Sequence, residues 1–142
     1  MGATIVLYTA FRDANPAEKR ALVAFFSRHF PHTPLSNITE SLEYALKKRP
    51  SFGGFVMSLE DESGIRAAVV ANKTGMDAFH PGHQFVFVAF DKELDKGTVM
   101  TFLEKAKAYA KGGISLHLKK DHPAIAYFKD LGFSEEYVEL RS

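Results

Sequence analysis

The chain contains no cysteine and no tryptophan among its 142 residues. The missing cysteines exclude a disulfide framework, thiolate-ligated zinc and a cysteine nucleophile together. Charge of one sign is also missing, since 18 Lys and Arg face 17 Asp and Glu for a formal net charge of +1. No global field therefore draws the chain to nucleic acid or an anionic membrane, and neither is expected as a partner. No apolar run approaches the roughly 18–20 residues of a membrane span. Met1–Phe11 lacks a basic start and an apolar stretch with a cleavage site, so the expected location is cytoplasmic. Linkers, repeats and low-complexity runs are lacking too, and residues 1–142 read as one domain. What is present is an ordinary globular balance, 46% hydrophobic and 25% charged, with 13 Phe to build the core.

The pattern along the chain alternates between both periods. Residues 3–11 are β-branched and apolar and predict a first strand. Asn15-Pro16-Ala17-Glu18 has the form of a capping box with proline at the first helical position. Leu22, Phe25, Phe26 and His29 or Phe30 then recur at helical spacing until Pro31 and Pro34. A second box at Asn37–Glu40 opens a helix striped by Ile38, Leu42, Ala45 and Leu46, which Lys47, Lys48, Arg49 and Pro50 close. Phe52–Glu60 and Ile65–Lys73 flank a hairpin loop at Asp61-Glu62-Ser63-Gly64. After a loop at Gly75–His83, the nearly all-apolar run Gln84–Phe90 suits a central strand buried on both faces. Gly97–Lys111 is helical by pattern, Ile114–Leu118 a short strand, Pro123–Leu131 a short helix with Gly132 beyond its end, and Tyr137–Leu140 a last strand. The expected class is a mixed α/β (α+β) domain around a twisted, mainly antiparallel sheet, in the order β-α-α-β-β-β-α-β-α-β.

That order, the strand Ile114–Leu118 and the segment Asp121-His122-Pro123-Ala124-Ile125-Ala126-Tyr127-Phe128-Lys129-Asp130-Leu131-Gly132-Phe133 resemble the GNAT (N-acetyltransferase) superfamily over the whole chain. The segment is similar to the family's closing helix. The strand Gln84–Phe90, followed by Leu94-Asp95-Lys96-Gly97-Thr98-Val99 and a helix, resembles its acyl-CoA motif, Q/R-x-x-G-x-G/A. The motif departs from the family at Leu94, at the Q/R position, and at Val99, at the second glycine. Phe128 stands where the family has a tyrosine acid.

The resemblance implies acyl transfer, acetyl in the first instance, from a CoA thioester to a small-molecule or peptide amine, without a metal. It implies cofactor contacts from Val88, Ala89, Phe90, Lys96, Gly97, Thr98, Val99, His122 and Phe128. The chemistry asks for a pyrophosphate site, a neutral amine and a stabilised leaving thiolate. Backbone amides at a helix start attract anions whatever the side chains, and Gly97 lets them approach closely. Val99 brings a β-branched side chain toward the phosphates, and Lys119-Lys120 lies near the expected adenosine end. His83, whose residue type titrates near 6.5, is the candidate base, with Glu60 behind it. Tyr127 is the candidate acid, one residue or about 100° of helix from the family's position. Phe30, His32, Phe79 and His80 are placed at the acceptor pocket. His80 and His83 without a third ligand make no metal site; His122 caps the last helix or touches CoA. Two other readings stay open, a non-catalytic CoA-binding or interaction module and an α/β domain without a CoA site. A homodimer also stays open.

Overall fold

A computed structural model describes residues 3–46, 54–74, 81–110, 113–116, 118–136 and 138–142. Its elements are β1 (Thr4–Tyr8), α1 (Pro16–His29), α2 (Leu35–Ala45), β2 (Gly54–Asp61), β3 (Gly64–Lys73), β4 (His83–Phe90), α3 (Lys96–Ala110), β5 (Ile114–Leu116) and α4 (Ala124–Asp130). The five strands lie in the order β1-β2-β3-β4-β5. All pairs are antiparallel except β4 with β5, which is parallel. The α+β class and mainly antiparallel sheet expected from the sequence are present.

Each helix forms for local reasons. Asn15 caps α1, with its side chain accepting from the Glu18 amide at 2.8 Å while Glu18 Oε1 accepts from the Asn15 amide at 2.9 Å. The box expected at Asn37–Glu40 is not the start of α2. That helix begins at Leu35, and the Pro34 carbonyl accepts from the Asn37 and Ile38 amides at 3.0 and 3.4 Å. These are the first bonds of the helix itself, no side chain caps its start, and Asn37 lies inside it. The positions expected to close α2, Lys47, Lys48, Arg49 and Pro50, lie outside the described residues, as do Phe52, Lys111, Gly112 and His117.

Strand alternation sends side chains to two cores. Leu22, Phe25 and Phe26 of α1 and Ile38 and Leu42 of α2 pack with Tyr8, Val56 and Val70 on one face. Phe102 and Leu103 of α3 and Phe128 of α4 pack with Phe55, Val69, Phe85 and Val88 on the other. Burying each such ring or branched chain contributes roughly 1.5–3 kcal/mol. The central strand is β3, whose Ala67–Ala71 are all fully buried. The run Gln84–Phe90, expected to be covered on both faces, instead leaves Gln84, Val86, Phe87 and Phe90 partly exposed. Among the described residues β5 pairs only with His83 to Phe85.

The strand expected at Tyr137–Leu140 is not part of the sheet at its described residues, 138–140, and Tyr137 lies outside the described set. Val138 and Leu140 are 83% and 89% exposed. Among the described residues, the outermost strand on that side, β5, spans three residues. No helix among the described residues is long and apolar enough to cross a membrane.

Candidate functional site

The site is created by one extra residue in β4. Val70 of β3 pairs with Phe87 and its neighbour Ala71 pairs with Phe85, so Val86 has no partner in β3. Val86 and Phe87 consequently both face the α1–α2 core, while Val88 turns back toward α3 and α4. A bulge of this kind bends a strand, increases its twist and ends pairing on its free side. Among the described residues, pairing with β5 runs from His83 to Phe85, immediately before the bulge. From Val86 to Phe90 the β4 edge has no partner strand among the described residues, and His122, just before α4, bonds to it at Val88.

His122 stands in this opening. Its Nδ1 accepts from the Ala124 amide at 3.0 Å, so the proton sits on Nε2, which donates to the Val88 carbonyl at 2.8 Å. It therefore caps α4 and holds the open edge of β4 at once. Burial pushes the imidazole below its ordinary pKa, with His29 adding to the lowering, against the Val88 bond and Asp121.

The start of α3 is a short distance along the chain from that edge. Asp95 Oδ2 accepts from the Thr98 amide at 3.2 Å and Oδ1 from the Thr98 hydroxyl at 2.5 Å. The Thr98 side-chain bond, then the Thr98 amide, holds the Asp95 carboxyl below the usual range, and the Gly97 amide contributes as well. The donor set thus holds an anion, the chain's own. A Cβ on Gly97 would come within 3.3 Å of Asp95 Oδ2. Val99 is fully buried against α3's own core face, so its branched side chain leaves the mouth of the helix clear. Leu94 also packs toward that core. Lys96 is exposed and pairs with Asp130 of α4 at 3.6 Å.

No family model matches the sequence, and no curated relative matches it. Solved structures do. An aminoglycoside acetyltransferase from an uncultured soil metagenomic sample, in complex with sisomicin, superposes with a TM-score of 0.68 at 13% identity, over 99% of this chain and 95% of that one. A GNAT family acetyltransferase from Streptococcus pneumoniae TIGR4 gives 0.66 at 10% identity, with 98% of each chain covered. The aminoglycoside N-acetyltransferase AAC(6')-Iy, solved with CoA, gives 0.67 at 10% identity over 100% of this chain and 96% of that one. The fold is that of the GNAT acetyltransferases.

Within this GNAT fold the residues singled out from the sequence fall into three groups. Val88, Ala89 and Phe90 form the stretch of β4 beyond the bulge, with Tyr127 edge-on to Phe90 at 5.2 Å between ring centres. His122 stands at that stretch, and Lys96, Gly97 and Thr98 lie at the start of α3, which follows β4 in the chain. Phe128, by contrast, is 1% exposed and clamped between Phe85 and Phe133, at 6.1 and 5.1 Å. It supports the opening from within the core. Phe30 packs on Phe87 at 5.3 Å and on His122 at 5.9 Å, which brings it to the bulge. His32 is exposed in the turn after α1. Phe79 and His80 lie outside the described residues. His83 sits at the far end of β4, with its ring 5.8 Å from Phe55. Glu60 is drawn into β2, accepting from the Ser58 hydroxyl at 2.6 Å. Lys119 and Lys120 are exposed in the turn before α4.

One group was missed. His29 Nε2 lies 2.9 Å from Asp91 Oδ1. The carboxylate accepts, so Nε2 carries the proton of the neutral ring and Nδ1 keeps its lone pair, with no hydrogen-bond partner for Nδ1 among the described residues. Asp91 also faces Arg28 at 3.4 Å and Arg66 Nε at 3.0 Å. The Arg66 contact lies off the hydrogen-bond direction, so it acts as charge pairing. His29 and Asp91 are 62 residues apart, and only the meeting of the end of α1 with the end of β4 joins them. The available sequence signal was a histidine closing an apolar helical stripe and an aspartate directly following the apolar strand.

Proposed function

We propose that the chain transfers an acyl group, acetyl in the first instance, from a CoA thioester to an amine. The observation that carries the reading is the bulged, unpaired edge of β4 beside a helix start whose amides hold an anion. A CoA thioester, when bound, supplies an acyl carbonyl already activated toward amines. The donor chemistry fits it. Val88, Ala89 and Phe90 would offer backbone groups to the pantetheine arm. The Gly97 and Thr98 amides would take the pyrophosphate in place of the Asp95 carboxylate, with Lys96 supplying positive charge.

The rest of the work falls to side chains at the opening. The amine must lose a proton as its nitrogen bonds to the acyl carbon and the C–S bond breaks. His29 receives that proton on Nδ1, and Asp91 steadies the resulting imidazolium. His29 is preferred to His83 because it closes α1 next to Phe30, whose ring packs on His122 at 5.9 Å, whereas His83 lies before the bulge. Tyr127, on the exposed side of α4's buried face, gives a proton to the departing sulfur. His122 keeps the β4 edge in place.

The experiment is acceptor-dependent thiol release from acetyl-CoA across a panel of amines, with the products identified by mass. Transfer is expected, with His29→Gln reducing kcat by about 100-fold or more and Tyr127→Phe reducing it less. A second reading, a CoA-binding module without chemistry, is favoured by one observation, the buried Phe128, which has no hydroxyl to give a proton. It would be supported by acetyl-CoA binding without transfer to any amine.

A further inference from the structure

From the residues around the opening we infer that the acceptor is a monoamine carrying an aromatic or bulky apolar group, not a polyamine or an amino sugar; this rests on the acyltransferase reading above. The side of the opening under the end of α1 is a wall of rings. Phe30 meets Phe87 at 5.3 Å and His122 at 5.9 Å, and Phe87 is backed by Phe26 at 5.7 Å. Phe30, Phe87, His122 and the bulge residue Val86 all remain partly exposed. These side chains offer apolar and aromatic area for an acceptor's organic group, and the His122 ring held on Val88 adds no fixed positive charge.

The charge around that wall argues the same way. A polycationic acceptor needs carboxylates with charge to spare. Two carboxylates lie near the rings: Asp91 already faces His29, Arg28 and Arg66 at 2.9, 3.4 and 3.0 Å, and Asp121, beside His122, shares its exposed turn with Lys119 and Lys120. The acids Glu18 and Glu60 both lie against Tyr8, and Glu18 is about 16 Å from His29 along α1 at 1.5 Å per residue. The outer side of α1 lines an open groove through Lys19, Arg20 and Arg28, which repels a polycation further. A single ammonium is tolerated beside ring faces and loses its proton more readily there than in water. The balanced outcome is amine plus thioester giving amide plus thiol.

The test uses the full chain with acetyl-CoA and two acceptors, 2-phenylethylamine and kanamycin, followed by thiol release. The expected result is a higher kcat/KM for 2-phenylethylamine. Phe30→Ala should raise KM for that amine about 10-fold or more, from lost ring burial, with the KM for acetyl-CoA changed by less than about twofold. Phe30→Leu, which keeps most of the volume, should give a smaller rise and maintains the test should the alanine variant fail to fold. Equal or better use of kanamycin, an unchanged KM in the Phe30 variants, or calorimetric binding of acetyl-CoA with turnover of neither amine would each overturn the inference. Failure to bind acetyl-CoA at all would instead remove the acyltransferase reading on which it stands.

Discussion

Phe128→Tyr places the family's tyrosine where this chain has phenylalanine, and the structure makes its consequence specific. The residue is 1% exposed, with Phe85 on one side and Phe133 on the other. The surrounding core is built from apolar side chains such as Val99, Phe102 and Leu103. A hydroxyl added there must lose its water. Left without a partner, it costs roughly 1–3 kcal/mol. Fitting one more heavy atom into a close-packed ring cluster costs about another 1–3 kcal/mol. The sum, roughly 2–6 kcal/mol, corresponds to a loss of about 7–20 °C in Tm for a chain of this size. Calorimetric melting of wild type and variant reads the effect directly, and kcat measured well below the variant's Tm should not rise. A Tm within a degree of wild type, together with faster acyl transfer, would refute the reasoning, because the hydroxyl would then have reached the opening.

Three further outcomes follow from other contacts. Asp95→Asn keeps the α3 cap, since asparagine caps as well as aspartate. It removes a negative charge from the proposed phosphate site, so titration calorimetry should show several-fold tighter acetyl-CoA binding that fades with added salt; unchanged or weaker affinity in a folded variant would contradict the anion-site assignment. His122 has its pKa lowered by burial, so the unfolded chain binds more protons than the native one in the histidine range. Its contribution to stability is present above the ordinary histidine value of about 6.5 and is lost as pH falls through it. His122→Asn should therefore flatten the decline in Tm between about pH 7.5 and 5.5, and an equally steep decline would count against the His122–Val88 lock. Gly54 has a φ of +149°, and a Cβ there would lie 1.9 Å from the Ala71 carbonyl oxygen. Gly54→Ala should cost about 2–4 kcal/mol by parting β2 from β3, visible in chemical denaturation; a silent substitution would mean the strand end relaxes freely.

What was legible in the sequence was whatever local chemistry determines. Asn15 and Glu18 announce the start of α1, and the turn after Asp61 announces the hairpin, which closes with two loop residues before Gly64 at φ +111°. The closing helix was readable from Ala124 to Gly132 because both its core face and its end are encoded within a few residues. The start of α2 was misplaced because the helix begins at Leu35 without a side-chain cap, so the box at Asn37–Glu40 marks no boundary. The bulge was not legible, since Val86 is extra only relative to the register of β3. With the bulge hidden, Gln84–Phe90 resembled a fully covered strand, although its second half borders the opening. For the same reason the His29–Asp91 pair stayed out of sight, as each residue is unremarkable in its own segment and their chemistry arises from long-range contact. Sequence placed Val99 toward the phosphates and Phe128 among the cofactor contacts, and the structure buries both in the core.

Calorimetric titration of the full chain with acetyl-CoA is the most direct test of the central claim, that the β4 edge beyond the bulge and the start of α3 form an acyl-CoA site. The account predicts one-to-one binding that Gly97→Glu abolishes or weakens by about 10-fold or more through bulk and charge at the anion site, with circular dichroism unchanged. No heat and no thermal stabilisation at millimolar acetyl-CoA, or equal affinity in a folded Gly97→Glu variant, would contradict it.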